Sequence, residues 1–172
     1  MRCQEGIDTT TQRGIEEVDR MNVEPSLPRL PSSGTAQLLS QTVLGFDAKS
    51  GIARLGFVAP PSVSNPAGFV QGGVLSAMLD DTLVPVVWLA TDGQYFPVTI
   101  NLTVAFLAAA RPGPIAAEAR LIHLGKLIAH AEAELRDKDG VRLARASASM
   151  HLVRADTALA TPDGGGTAPA AS

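Results

Sequence analysis

Residues 72–89 run Gly72-Gly73-Val74-Leu75-Ser76-Ala77-Met78-Leu79-Asp80-Asp81-Thr82-Leu83-Val84-Pro85-Val86-Val87-Trp88-Leu89. Large apolar side chains fall on every side of the helical wheel, so a helix here has no face to offer water and belongs inside the protein. Pro85 lacks an N–H, which predicts a kink and leaves the Asp81 carbonyl without its helical donor. The flanking segments alternate instead. Val98-Thr99-Ile100-Asn101-Leu102-Thr103-Val104-Ala105-Phe106 has a two-residue period and is rich in β-branched residues. Ala129–Arg136 and Val141–Val153 set alanines against charged residues in the same rhythm, and Asp137-Lys138-Asp139-Gly140 joins them as a hairpin turn. Pro114–Leu124, Ile52–Val58 and Ala36–Phe46 are the other predicted strands. One buried helix among strands gives an α+β chain whose sheet must wrap around that helix.

Outside this core the composition changes. Residues 1–35 are charged and broken by Pro25, Pro28 and Pro31, the pattern of a partly disordered arm with a short helix near Ile15–Met21. Residues 154–172 are dominated by Ala, Gly, Pro and Thr, too poor in bulky apolar groups to offset ordering entropy, and are expected to form a flexible tail. The domain is therefore expected over residues 36–153. With 14 basic and 17 acidic residues, and aromatics at 4% of 172 residues, the chain lacks the basic surface and stacking platforms of a nucleic-acid binder. Cys3 is the single cysteine, which excludes intrachain disulfides and cysteine-rich zinc sites. The first twenty residues hold five carboxylates and no apolar run, and Gly68–Ala90 is interrupted by Asp80, Asp81 and Pro85. Neither a signal peptide nor a membrane span is expected, and cytoplasmic localisation is the expectation.

The chemistry concentrates in Asn65-Pro66-Ala67-Gly68-Phe69-Val70-Gln71-Gly72-Gly73, which leads straight into the helix. Two glycines at a helix start allow close approach to unpaired N–H groups, where the dipole favours negative charge. Such an end binds an anion, or stabilises a carbonyl oxygen as it becomes one; a packing turn uses the same residues. Asp80 lies two turns further on, where a carboxylate in apolar surroundings needs a partner, with Ser76 one turn earlier as the local candidate. Asp81 points about 100° away, whereas Asp80 shares the side of Gly73. Gly72 and Asp80 are ~12 Å apart along the axis, too far for one reacting atom to touch both. If both serve one reaction, the aspartate comes from a second subunit.

The block Asn65…Gln71-Gly72-Gly73…Asp80, followed by Val98–Leu107, Leu124-Gly125-Lys126 and Asp139-Gly140, resembles the hotdog-fold acyl-CoA thioesterases over roughly residues 36–153. The likeness is to the phenylacetyl-CoA thioesterase (PaaI-like) branch. The resemblance implies a homodimer with one continuous sheet, pairing further into a dimer of dimers. It also implies hydrolysis of an aryl or medium-chain acyl-CoA. On it, the Gly72 N–H polarises the thioester carbonyl, Asn65 positions water or thioester, and the partner's Asp80 acts as base or nucleophile. Thr99 matches a hydroxyl position that orients the attacking water, although strict alternation confines it to the subunit seam. Gln71 stands where the branch usually has histidine; it can donate a hydrogen bond but cannot shuttle a proton near neutrality. Gly73, Phe69 and Lys126 are the candidate substrate contacts. No cofactor is implied, since coenzyme A is part of the substrate.

Other constellations are weaker. Pairing His123 with Leu127 across the Gly125 turn places His130 on the opposite face, which argues against shared zinc. Asp80 and Asp81 diverge too far to hold magnesium together. Arg120, Lys126, Arg145 and His151 can meet coenzyme A phosphates, or simply form a solvated face. A second class of function, a hotdog module that binds acyl-CoA as a signal without turnover, is kept open by Gln71. A dehydratase would need a histidine near the helix, and all three lie in later strands.

Overall fold

The computed structural model describes residues 30–31 and 33–160. The expected Ile15–Met21 helix and the Gly-rich stretch beyond residue 160 lie outside them. Six strands form one antiparallel sheet in the order β1-β2-β4-β5-β6-β3. They are β1 Thr42–Asp47, β2 Ile52–Ala59, β3 Tyr95–Phe106, β4 Gly113–Leu124, β5 Ile128–Asp137 and β6 Arg142–Arg154. The central helix, Gly72–Ala90, packs against the inner face of this sheet, in contact with every strand.

The alternating alanines explain how the sheet closes around the helix. Ala117, Ala119, Ala129, Ala131, Ala133, Ala144, Ala146 and Ala148 are all buried on the inner face. Small side chains there leave room for Leu75, Met78, Leu79, Leu83 and Val86 of the helix, so large groups from one layer fill the space left by small ones in the other. The helix is long and apolar enough to cross a membrane by composition alone; in this fold the sheet takes the place of lipid. The carbonyl freed by Pro85 has a partner, because Gln41 Nε2 donates to Asp81 O at 2.7 Å.

Three local differences from the alternation pattern matter later. The segment expected to be strand from Ala36 begins as a helical turn, Gly34–Leu38, because Ser33 Oγ accepts from Ala36 N at 2.9 Å as an N-cap. A register shift between Thr99 and Asn101 interrupts the β3–β6 ladder. Another, between Leu121 and His123, interrupts β4–β5. Each inserts one residue and so moves the residues beyond it to the other face. At the chain's later end, Ala155–Ala158 forms one helical turn beyond β6.

β3 is the last strand of the sheet, and its outer edge pairs with no other described strand. Pro97 lies within it, as an edge strand permits. Val98, Ile100 and Phe106 on this strand remain 46%, 61% and 55% exposed.

Candidate active site

The loop before the helix is built from its own hydrogen bonds. Asn65 Oδ1 accepts from the amides of Ala67 and Phe69 at 3.0 and 3.2 Å, and Asn65 N–H donates to Phe69 O at 2.7 Å. Gly68 closes the turn at φ +79°, which a side chain would strain. Val70 N–H donates to Ala110 O in the β3–β4 turn and Gln71 N–H to Val63 O in the turn after β2, tying the loop to its neighbours on both sides. Val74 and Leu75 N–H both donate to Gln71 O, and the Gln71 side chain makes no capping bond. Among the described residues, the N–H groups of Gly72 and Gly73 therefore have no acceptor. These are two adjacent donors at the positive end of a five-turn helix.

The two glycines serve different purposes. A Cβ on Gly73 would meet nothing within 4 Å, so its backbone is open to an approaching group. A Cβ on Gly72 would lie 3.2 Å from Phe106 Cζ, so the end of β3 already occupies that approach. Phe106 thus marks the helix start on the β3 edge.

Asp80 is half-buried, and Thr99 Oγ1 donates to its Oδ1 at 2.8 Å. Ser76 is not its partner; that hydroxyl donates to Gly72 O. The bulge after Thr99 corrects the alternation argument: Thr99 pairs with the buried Met150, so it faces the helix within its own chain. Asp81 is turned elsewhere. Its Oδ2 is buried with no hydrogen-bond partner among the described residues. Burial, and secondarily the charge on Asp80, push its carboxyl up to about 6.

The structure brings Asn65, Phe69, Gln71, Gly72 and Gly73 together at the helix start and sets Asp80 with Thr99 further along the same helix. It separates Lys126, which sits in the β4–β5 turn, at the opposite end of β4 from Gly113. Arg120 and Arg145 lie on the outer face of the sheet, lining a cavity of about 430 Å³ with Glu118, Glu132 and Glu134. The bulge at Ile122 overturns the expected divergence of the histidines: His123 pairs with His130 across the ladder, with ring centroids 6.2 Å apart. They too are on the outer side, away from the helix.

The pattern of the Thioesterase superfamily matches residues 67–144, from the loop through β6's first residues. The phenylacetic acid degradation-related protein of Ralstonia eutropha is 32% identical and aligns over 71% of this chain and 92% of its own, with a TM-score of 0.67. The chain belongs to the thioesterase superfamily. The PaaI protein of the E. coli phenylacetic acid degradation operon shares the fold at 15% identity, with a TM-score of 0.62 over 86% of this chain and 96% of that one. So does smu.793 of Streptococcus mutans, whose structure holds acetyl CoA, at 16% identity and a TM-score of 0.58 over 77% and 98%. No curated protein matches this sequence.

Within this superfamily chain, two residues at the site carry no signal in the linear pattern. Phe106 reads as one more strand residue, yet its ring covers Gly72. Arg111 reads as a loop charge, yet its guanidinium carbon lies 5.2 Å from the Phe69 ring centroid, beside the helix start. Phe106 ends β3 and Arg111 lies in the turn that follows, which reaches back to the loop in a long-range contact that the Val70–Ala110 hydrogen bond fixes.

Proposed function

We propose that the protein hydrolyses an acyl-CoA thioester at a site completed by two copies of the chain. The observation that carries this is the pair of unpartnered amides at Gly72 and Gly73, pointing out of a helix start whose side-chain cap is absent. A thioester carbonyl oxygen seated there gains negative charge as water attacks, and fixed N–H donors stabilise that charge without reorganising. Asp80 is the group suited to accept the proton of the attacking water, and Thr99 holds it in place. Asn65 has already committed its Oδ1 to the turn, which leaves its Nδ2 as the donor toward substrate. Gln71 adds a further uncommitted amide.

Geometry on one strand supports the two-copy reading. Within a chain, Phe106 lies against Gly72 while Thr99 holds Asp80, so β3 carries one half-site near each end. Antiparallel pairing of two β3 edges sets the Phe106 end of one beside the Thr99 end of the other. The same pairing covers Val98, Ile100 and Phe106, an apolar edge that would otherwise favour uncontrolled association. Both protomers then supply amides to one site and a carboxylate to the other.

The experiment is a free-thiol assay on purified protein across aryl and straight-chain acyl-CoA esters, with chains carrying Asp80→Asn and Gly72→Val prepared separately and then reassembled together. Each variant alone is expected to lose thiol release. Mixed dimers hold one site with both Gly72 and Asp80 intact and recover up to half of the native rate. Absence of recovery in verified mixed dimers refutes the shared site. Saturable thioester binding without any thiol release by the native chain favours the acyl-CoA-binding module that Gln71 keeps open.

A further inference from the structure

We propose that His123 and His130 together bind one divalent transition-metal ion of the imidazole-preferring class, such as Zn²⁺ or Ni²⁺, which clips β4 to β5 on the outer face of the sheet. The two residues are direct partners across the β4–β5 ladder, and their ring centroids lie 6.2 Å apart. Strict alternation would keep them on opposite faces. The extra residue, Ile122, removes that objection by reversing the face of His123, as bulges do when they re-aim a side chain. The same bulge breaks the ladder between Leu121 and His123, so an ion held just beyond it joins the strands where their backbone pairing is interrupted.

The ring nitrogens are free for this role. Neither nitrogen of His123 has a hydrogen-bond partner among the described residues. Gly125 leaves His123 Nε2 uncovered, since a Cβ on that glycine would lie 3.3 Å from it. His130 Nδ1 is 3.1 Å from Ser149 Oγ. With Nδ1–H donating to that hydroxyl, Nε2 keeps its lone pair for a metal, the tautomer control that a ligating histidine receives from its outer partner. Two imidazoles on a tetrahedral ion, each at ~2.1 Å, set their ring centres ~5 Å apart. Both side chains are exposed, so χ rotations that close about 1 Å meet this geometry. Among the described residues no third His, Cys, Asp or Glu completes a larger ligand group, so water fills the remaining positions. A site of imidazole nitrogens and water selects Zn²⁺, Ni²⁺ or Cu²⁺ over Mg²⁺ and Ca²⁺, which favour carboxylate oxygens.

The test is calorimetric titration of Zn²⁺ into the untagged full-length chain carrying Cys3→Ser, which removes its one thiol, with Mg²⁺ as the control. One Zn²⁺ per chain is expected, and no Mg²⁺ binding. Added to this parent, His123→Gln and His130→Gln each delete one of two protein ligands and are expected to weaken Zn²⁺ binding about 100-fold. His151→Gln, which alters the chain's third histidine, is expected to bind as the parent does. Melting curves give a second readout: a large excess of Zn²⁺ is expected to raise the parent's Tm by up to about 10 °C and to leave that of His123→Gln unchanged. No saturable Zn²⁺ binding by the parent up to millimolar ion overturns the proposal. So does parental affinity in either His123→Gln or His130→Gln, or a loss that follows His151→Gln instead.

Discussion

From Thr82 to Leu89 the central helix has one residue, Val84, that is not buried, whereas from Gly72 to Asp81 only Leu75, Met78 and Leu79 are. The later half is also the more apolar, since both aspartates and both glycines fall in the earlier one, but composition alone does not say which line of the earlier half stays open. Their surroundings do. The later half is enclosed by the sheet, with Trp88 and Leu89 sealed beneath it. Along the earlier half, Gly73, Ala77 and Asp80 form a stripe at helical spacing that stays partly open. Asp80 meets β3 through Thr99, and β3 is an edge strand with no described strand beyond it. A helix that must be buried on all sides is thus left incomplete along one line, and that line runs from the free amides to the carboxylate. The later half holds the fold; the earlier half is where chemistry is available.

The sharpest way to break this contrast is to neutralise the two adjacent aspartates one at a time. Asp80→Asn is expected to lower kcat in the thiol assay by 10²-fold or more, about 2.7 kcal/mol of barrier, with little effect on the melting temperature. Asp81→Asn, whose side chain faces away from Thr99, is expected to stay within a few-fold of wild type. Comparable losses from both, or the reverse order, would mean that the open stripe is not the functional face.

Much of this arrangement is legible in the residues. All-round apolarity predicts burial of the helix, and Pro85 predicts a free Asp81 carbonyl, which Gln41 meets. Alternation locates five of the six strands to within a few residues. What alternation cannot register is a single inserted residue, because a bulge flips the parity of everything beyond it without changing composition. Thr99 and the His123–His130 pair are both placed by such bulges. The Gly34–Leu38 turn depends on one capping serine ahead of five residues with no strong period. At the site, the glycine pair is visible as a motif. The turn locked by Asn65 is signalled by Asn-Pro-Ala-Gly itself, while Arg111 reaches the loop only through tertiary contact.

Asp81, turned away from the open line of the earlier half, has its own signature in pH. Because the Asp81 carboxyl is raised to about 6 from an ordinary 3.8, the native chain holds this proton more tightly than the unfolded chain between those values. Fewer protons are then bound by the unfolded state, so unfolding free energy falls as pH rises through that window. The full shift overstates the cost because the carboxyl is not sealed from solvent; roughly 1–2 kcal/mol lost between pH 4 and pH 7 is the expectation. Asp81→Asn removes the ionisation, so urea midpoints for the variant are expected to exceed those of wild type at pH 7.5 and to approach them at pH 4.5. A wild-type advantage at pH 7.5 would show that the Asp81 charge is satisfied by a partner.

The smallest expected effect concerns the residue at the mouth of the open half. Gln71 stands at the N-cap with its side chain uncommitted, one residue before the free amides. Its carboxamide can donate to a thioester carbonyl, but it holds no proton that it could exchange near neutrality. Gln71→His restores a titratable donor at that position without adding a Cβ to either glycine. The expected result is a rate between equal and several-fold higher, with a limb near the imidazole pKa appearing in the kcat profile. On the proposed reading the amides of Gly72 and Gly73 stabilise the developing charge, so the variant is not expected to change which esters are accepted. A collapse of rate would give Gln71 a positioning role that histidine cannot fill, and the open half of the helix would then depend on its cap as much as on its backbone.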